Sequence, residues 1–251
     1  MKLQTKPYLE QKANWVKLAH SLAEGLSPGV SPGVYKPRPF GVLTGYRKHN
    51  AGSLVKEGRV IMAQYDAESI VVYQAYRPAI GLFAAKNNYF GGEFSLSRMT
   101  WIKPNFLWMM YRSGWGTKEG QEVVLAIRLK RSAFDFILAQ AIHSKYEREL
   151  YESKTAWQKA VARSNVRLQW DPDRSPSGGK LQRRAIQLGL RHEAIAKYAR
   201  EWILEIEDIS QFVAEQRRYT IAQEYNALLT PQEQIYPVKD LITAQKLQLT
   251  I

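Results

Sequence analysis

The chain has 251 residues, 45% of them hydrophobic, a composition that supports a buried core and excludes disorder as the main state. Its 36 lysines and arginines against 23 acidic residues give a formal charge of +13, the footprint of a protein that meets phosphate-rich partners, although a basic surface also serves solubility. The absence of cysteine excludes disulfides, thiolate nucleophiles and cysteine-ligated metal centres, while the lack of a long apolar run or a signal-peptide core leads us to expect a cytoplasmic protein without a membrane partner.

In residues 7–25, Leu9, Ala13, Val16, Leu18 and Leu22 recur at helical spacing between Pro7 and Gly25, which predicts an amphipathic helix. GLSPGVSPGVYKPRPFG follows, with SPGV in tandem, and its mixture of proline and glycine predicts a linker that packs little. An N-terminal extension over 1–57 thus precedes a main domain over 58–218 and a helix-and-loop tail over 219–251. VIMAQYD and SIVVYQAY, residues 60–66 and 69–76, are rich in β-branched and aromatic residues and predict a hairpin. AIGLFAAKNN predicts a short helix stopped by Gly91 and Gly92, and Pro104 predicts a helix over 105–113.

Residues 122–131 predict a strand, followed by a helix through SAFDFILAQAIHS capped by Ser132. NVRLQWD, residues 165–171, alternates like a strand, with RRAIQLGL, residues 183–190, as its partner across the loop DPDRSPSGGKL. HEAIAKYAREWILEIED predicts one amphipathic helix, with apolar residues at 194, 195, 198, 199, 202 and 203. Strands and helices intersperse without regular alternation, so the expected fold is α+β: a single domain of mixed or antiparallel sheet with surrounding helices, preceded by the N-terminal helix and linker.

The segment RMTWIKPNFLWMMYRSGW, residues 98–115, carries three tryptophans and four basic or amide side chains with no acid. Trp101 and Trp108 are ordinary packing material, yet Arg98, Lys103 and Arg112 cannot be buried unpaired, and their partners must come from elsewhere. An aromatic floor with a basic rim is one arrangement that reconciles them, with Arg98 meeting an anion at the helix N-terminus. Tyr76, Trp170 and Arg174 extend this set of candidate ligand- and phosphate-binding residues, and KLQRRAIQLGLR adds a second basic cluster. The four histidines are scattered, so no metal is expected, and no P-loop, dinucleotide fingerprint or GxSxG elbow occurs.

Five strings in one order, YDAESIVVYQAY, RMTWIKPNFLWMMYRSGW, QEVVLAIRLKR, VRLQWDPDR and AIQLGL followed by IEDIS, resemble the bacterial and fungal family named domain of unknown function 4291, from about Arg59 to about Arg218. That resemblance implies no activity. A second one concerns three positions: Arg77 at the end of a strand, Ser95 with Ser97 in FSLS, and Glu122 opening a strand after GTKEGQ are similar in order to the ADP-ribosyltransferase superfamily. It implies catalytic roles for Glu122, Arg77 and Ser95, with NAD as cofactor and the glutamate stabilising an oxocarbenium-like centre. Read by itself, Glu122 is equally a solvated strand start or half of a salt bridge. Two main readings stay open: an NAD-dependent ADP-ribosyltransferase-like enzyme, or a non-catalytic module for RNA or single-stranded nucleic acid. A third is a structural or regulatory protein whose basic surface meets an acidic protein partner.

Overall fold

A computed structural model describes residues 3–11 and 56–250. In chain order the strands are β1 (Thr5–Pro7), β2 (Gly58–Arg59), β3 (Met62–Ala63), β4 (Ser69–Tyr76), β5 (Thr100–Ile102), β6 (Val123–Lys130), β7 (Ala141–His143), β8 (Val166–Arg174), β9 (Lys180–Leu190), β10 (Ile203–Asp208), β11 (Leu229–Pro231) and β12 (Gln234–Ile235). The helices are α1 (Pro78–Asn87), α2 (Phe106–Ser113), α3 (Arg131–Gln140), α4 (Lys154–Arg163), α5 (Glu193–Lys197), which runs into a π-helical turn (Tyr198–Trp202), α6 (Ser210–Ala222) and α7 (Leu241–Lys246). The fold is α+β. Among the described residues no helix is long and apolar enough to cross a membrane.

Two sheets carry the domain. One has the order β10-β6-β4, all antiparallel, and the other runs β2-β9-β8-β7 with β5 on the end of β9. SIVVYQAY lacks polar alternation because both faces of β4 are covered: Ile70 and Val72 join one core with β6, β8, β9 and α3, while Val71 and Tyr73 join another with α2 and α6. The sheets meet where the Tyr73 N–H donates to the Lys103 carbonyl at 2.7 Å.

The predicted hairpin forms, with Asp66 Oδ1 accepting the N–H groups of Glu68 and Ser69 at 2.9 and 2.7 Å. Its first arm is shorter than expected, because Met62 and Ala63 pair with β12 instead. Likewise β8 and β9 pair as expected, from Val166 opposite Leu190, but the strands run on to Arg174 and Lys180. Two expectations need correction. SAFDFILAQAIHS splits into α3 and β7, and α3 has no side-chain cap, Ser132 lying inside it. HEAIAKYAREWILEIED is not one helix: α5 and the π-helical turn end at Trp202, because Ile203–Asp208 finds pairing partners on β6. At the N-terminus Thr5–Pro7 pairs with β11 and residues 8–11 are helical, while the rest of the expected helix and the SPGV linker lie outside the described residues.

Helix α1 stops at Asn88 in the left-handed conformation, φ 60°, ahead of the glycines expected to stop it. The stop has a second use. Asn88 Oδ1 accepts the Ile206 N–H at 2.7 Å and its Nδ2 donates to the Leu204 carbonyl at 3.2 Å, so one amide side chain closes the open edge of β10. Asn88→Gly keeps the backbone conformation and removes both bonds, and is expected to lose about 1 kcal/mol in urea denaturation. Asn88→Ala should lose more, because left-handed backbone strain of about 1–2 kcal/mol is added.

Candidate functional site

Most of the residues singled out by sequence fall in two groups. Tyr76 opposite Val123 is the last pair of the β4–β6 ladder, so the next residues outward, Arg77 and Glu122, leave the sheet side by side. Arg77 is exposed and its Nη2 lies 2.5 Å from Glu93 Oε2, which draws the loop carrying Ser95 and Ser97 to the same end. The hydroxyls of Ser95 and Ser97 bond each other at 2.9 Å, and Glu122 Oε1 accepts the Gly120 N–H at 2.7 Å. An exposed pair such as Arg77–Glu93 is worth at most about 1 kcal/mol, so an incoming anion can replace the glutamate.

The second group surrounds α2. Trp108 is 6% exposed and forms part of a packed wall, whereas Tyr111 is 43% exposed and Arg112 faces solvent. The Arg174 guanidinium stacks on Tyr111 at 3.6 Å, tied by its Nη1 to the Gly178 carbonyl at 3.1 Å. Gly178, at φ 84°, rests against the same ring, so the β8–β9 turn lies on the last turn of α2. Trp101 lies over Gly189, where a Cβ would stand 2.7 Å from Met99 and 3.1 Å from the Trp101 ring. Trp170 is committed elsewhere, its indole N–H donating to the Leu247 carbonyl at 3.0 Å.

Lys103 departs from expectation. Its side chain is buried, yet its bond goes to the Trp101 carbonyl at 3.2 Å and it lies 5.4 Å from the centre of the Trp108 ring. Burial, with Arg112 adding like charge, brings its ammonium down to about 7, against the pull of Asp171. Asp171 itself is held by Gln169 at 3.0 Å and Gln187 at 2.7 Å. The same Trp101 carbonyl accepts from Gln74 at 3.0 Å, and Gln74 also reaches Tyr76 and Thr100 at 2.8 and 2.7 Å. Among the described residues no hydrogen bond or ion pair joins Arg77 or Glu122 to Arg98 or Arg112.

The expected anion site at the start of α2 is occupied by the chain itself. Glu233 takes that place: Oε1 accepts the Phe106 N–H at 2.5 Å and Oε2 accepts from Asn105 at 3.0 Å, while Arg98 lies exposed outside it. Nearby, Arg183 and Asp173 form an ion pair at 2.5 Å, 4% and 1% exposed. Burial, helped by Asp173, raises the Glu233 carboxyl to about 8 although Phe106, Arg183 and Asn105 pull the other way. Glu233 sits in a polar stretch between prolines and left no signal in the sequence. Gln169, Asp171 and Asp173 did, since three polar residues at alternate strand positions share one face.

The family model described as Domain of unknown function (DUF4291) matches residues 60–236. The chain belongs to this family. The DUF4291 region takes in β4, α2, β6, β8, β9 and Glu233, and so contains both groups of side chains. No curated protein matches the chain.

A carboxyl whose folded pKa stands above its unfolded value contributes stability below the unfolded pKa and loses it as pH rises through the folded one. For Glu233 that window runs from 4.5 to about 8. Glu233→Gln, which keeps an acceptor for Phe106, should show a flatter fall of Tm with pH across this window than the unsubstituted protein.

Proposed function

We propose that this protein binds the phosphates and bases of a nucleotide or single-stranded nucleic acid across α2 and the β8–β9 turn. The observation that carries the reading is the exposed Tyr111 ring, with the Arg174 guanidinium at 3.6 Å, the Lys118 amine at 6.0 Å and exposed Arg112 next to it in the helix. Such a group offers what single strands need: a flat face on which any base stacks, and cations for the backbone phosphates. The excess of 13 positive charges acts in the same direction at longer range.

Arg174→Ala and Arg112→Ala should each weaken binding of a fluorescent single-stranded RNA, followed by anisotropy, and reduce the slope of log K against log salt by about 1. Affinity of the unsubstituted protein that does not change with salt would sink the proposal.

A second reading, ADP-ribosyl transfer from NAD, is favoured by the adjacency of Arg77 and Glu122 at the end of the β4–β6 ladder, with Ser95 on a loop drawn to that end. In this reading Arg77 exchanges Glu93 for a dinucleotide phosphate and Glu122 steadies the positive ribose centre as nicotinamide leaves. NAD would be held by this chain's basic and hydroxyl side chains, without a metal. Glu122→Gln should then abolish nicotinamide release while leaving NAD binding and Tm intact, and unchanged release would remove Glu122 from the chemistry.

A further inference from the structure

A second arginine lies over a tyrosine ring on the far side of the β4–β6 pair from α2. Helix α1 packs through Ala84 into one core, joined there by Phe90, whereas α2 packs through Phe106, Leu107 and Met110 into the other. On the α1 side Phe83 meets Tyr89 edge-on, ring centres 5.6 Å apart, and Gly91 lies against both rings, where a Cβ would stand 2.9 Å from each. The Phe90 N–H donates to the Ala199 carbonyl at 3.3 Å and so brings the π-helical turn alongside, and the Arg200 guanidinium lies over Tyr89 at 4.5 Å. Arg200 is exposed, and among the described residues no hydrogen bond or ion pair holds it. The ring alone positions it, which leaves its five N–H donors for a ligand. The acid next to it in the chain, Glu201, acts on Lys197, and Lys197 pairs with Glu193 at 2.7 Å. Lys86, exposed and three residues after Phe83 on α1, adds a second cation to the same surface.

We infer that the Tyr89–Arg200 pair is a second contact for single-stranded RNA, where one base stacks and Arg200 and Lys86 meet the adjoining phosphates. Guanidinium planes and tyrosine rings both accept any base, and an arginine already laid over a ring loses little freedom when a base joins the stack. The class of ligand rests on the nucleic-acid reading of α2, where Arg174 over Tyr111 repeats the same pairing; the second position is carried by its own geometry. Because the two pairs belong to opposite faces of the β4–β6 ladder, a strand of about 4 nucleotides engages one of them, while one of about 30 can pass round the sheet and engage both.

The full chain is photo-crosslinked to a uridine RNA of about 30 nucleotides carrying 4-thiouridine, and the attachment sites are mapped by peptide mass. Adducts are expected around Tyr89 as well as around Tyr111. Adducts at Tyr111 with none at Tyr89 overturn this inference and leave the reading of α2 standing; adducts at Tyr89 alone do the reverse, and adducts at neither overturn both. In anisotropy Arg200→Ala should weaken the long RNA about tenfold and the short one at most about twofold, and an equal loss at both lengths overturns the two-point contact. Arg200→Lys keeps the charge without the plane and should recover little of the lost affinity; full recovery overturns the stacked base. Arg200 is exposed, so an unchanged Tm in both variants separates lost contact from lost fold.

Discussion

A carboxylate deep inside a protein must find hydrogen-bond donors or lose its charge, and the way Glu233 solves this organises much of the molecule. Its oxygens meet the backbone of Phe106 and the amide of Asn105, its own N–H donates to Gln11 at 3.2 Å, and the Asp173–Arg183 pair shares its electrostatic environment. Four remote parts of the chain converge there: the N-terminal segment, the start of α2, the β8–β9 hairpin and the stretch between β11 and β12. Gln11 reinforces the convergence by donating to both oxygens of Thr230 at 2.8 Å. The same carboxyl accepts the first N–H of α2, the helix that carries Tyr111 and Arg112.

The β4–β6 pair is the other organising element. Being buried on both faces, it transmits position in both directions: one end delivers Arg77 and Glu122, and the Tyr73–Lys103 bond fixes the second sheet beside it. Gln74 joins the two regions by its bonds to Tyr76, Thr100 and the Trp101 carbonyl, while Tyr198 donates to its Oε1 at 2.5 Å. A network so fully bonded is rigid.

Net charge overstates the surface available for phosphate. Of the basic cluster KLQRRAIQLGLR, Arg183 is buried against Asp173, and Arg191 donates to the carbonyls of Val161, Ala162 and Ser164 at the end of α4. Arg167 serves the same helix end, donating to Ser164 at 3.2 Å. These guanidiniums satisfy the fold. Arg112 and Lys118, by contrast, are exposed beside Tyr111 at the end of α2.

Local pattern was legible wherever neighbours in the chain decide the outcome. The α+β class, the hairpin turn at Asp66, the β8–β9 pairing and the helix after Pro104 follow from β-branched runs, turn residues and capping chemistry, and the five family strings could be read directly. Partners far apart in the chain were not legible, because neither periodicity nor propensity encodes them. Tertiary structure alone decided that Glu233 would fill the start of α2, that Ile203–Asp208 would join β6 as a strand, and that Asn88 would guard its edge. It also decided the fate of each cation: burial beside Trp108 for Lys103, a bond to Asp173 for Arg183, and water for Arg112. The sequence by itself determined which side chains were present; their chemistry depended on what long-range packing set beside them, since solvation and nearby charge govern what an amine or a carboxyl can do.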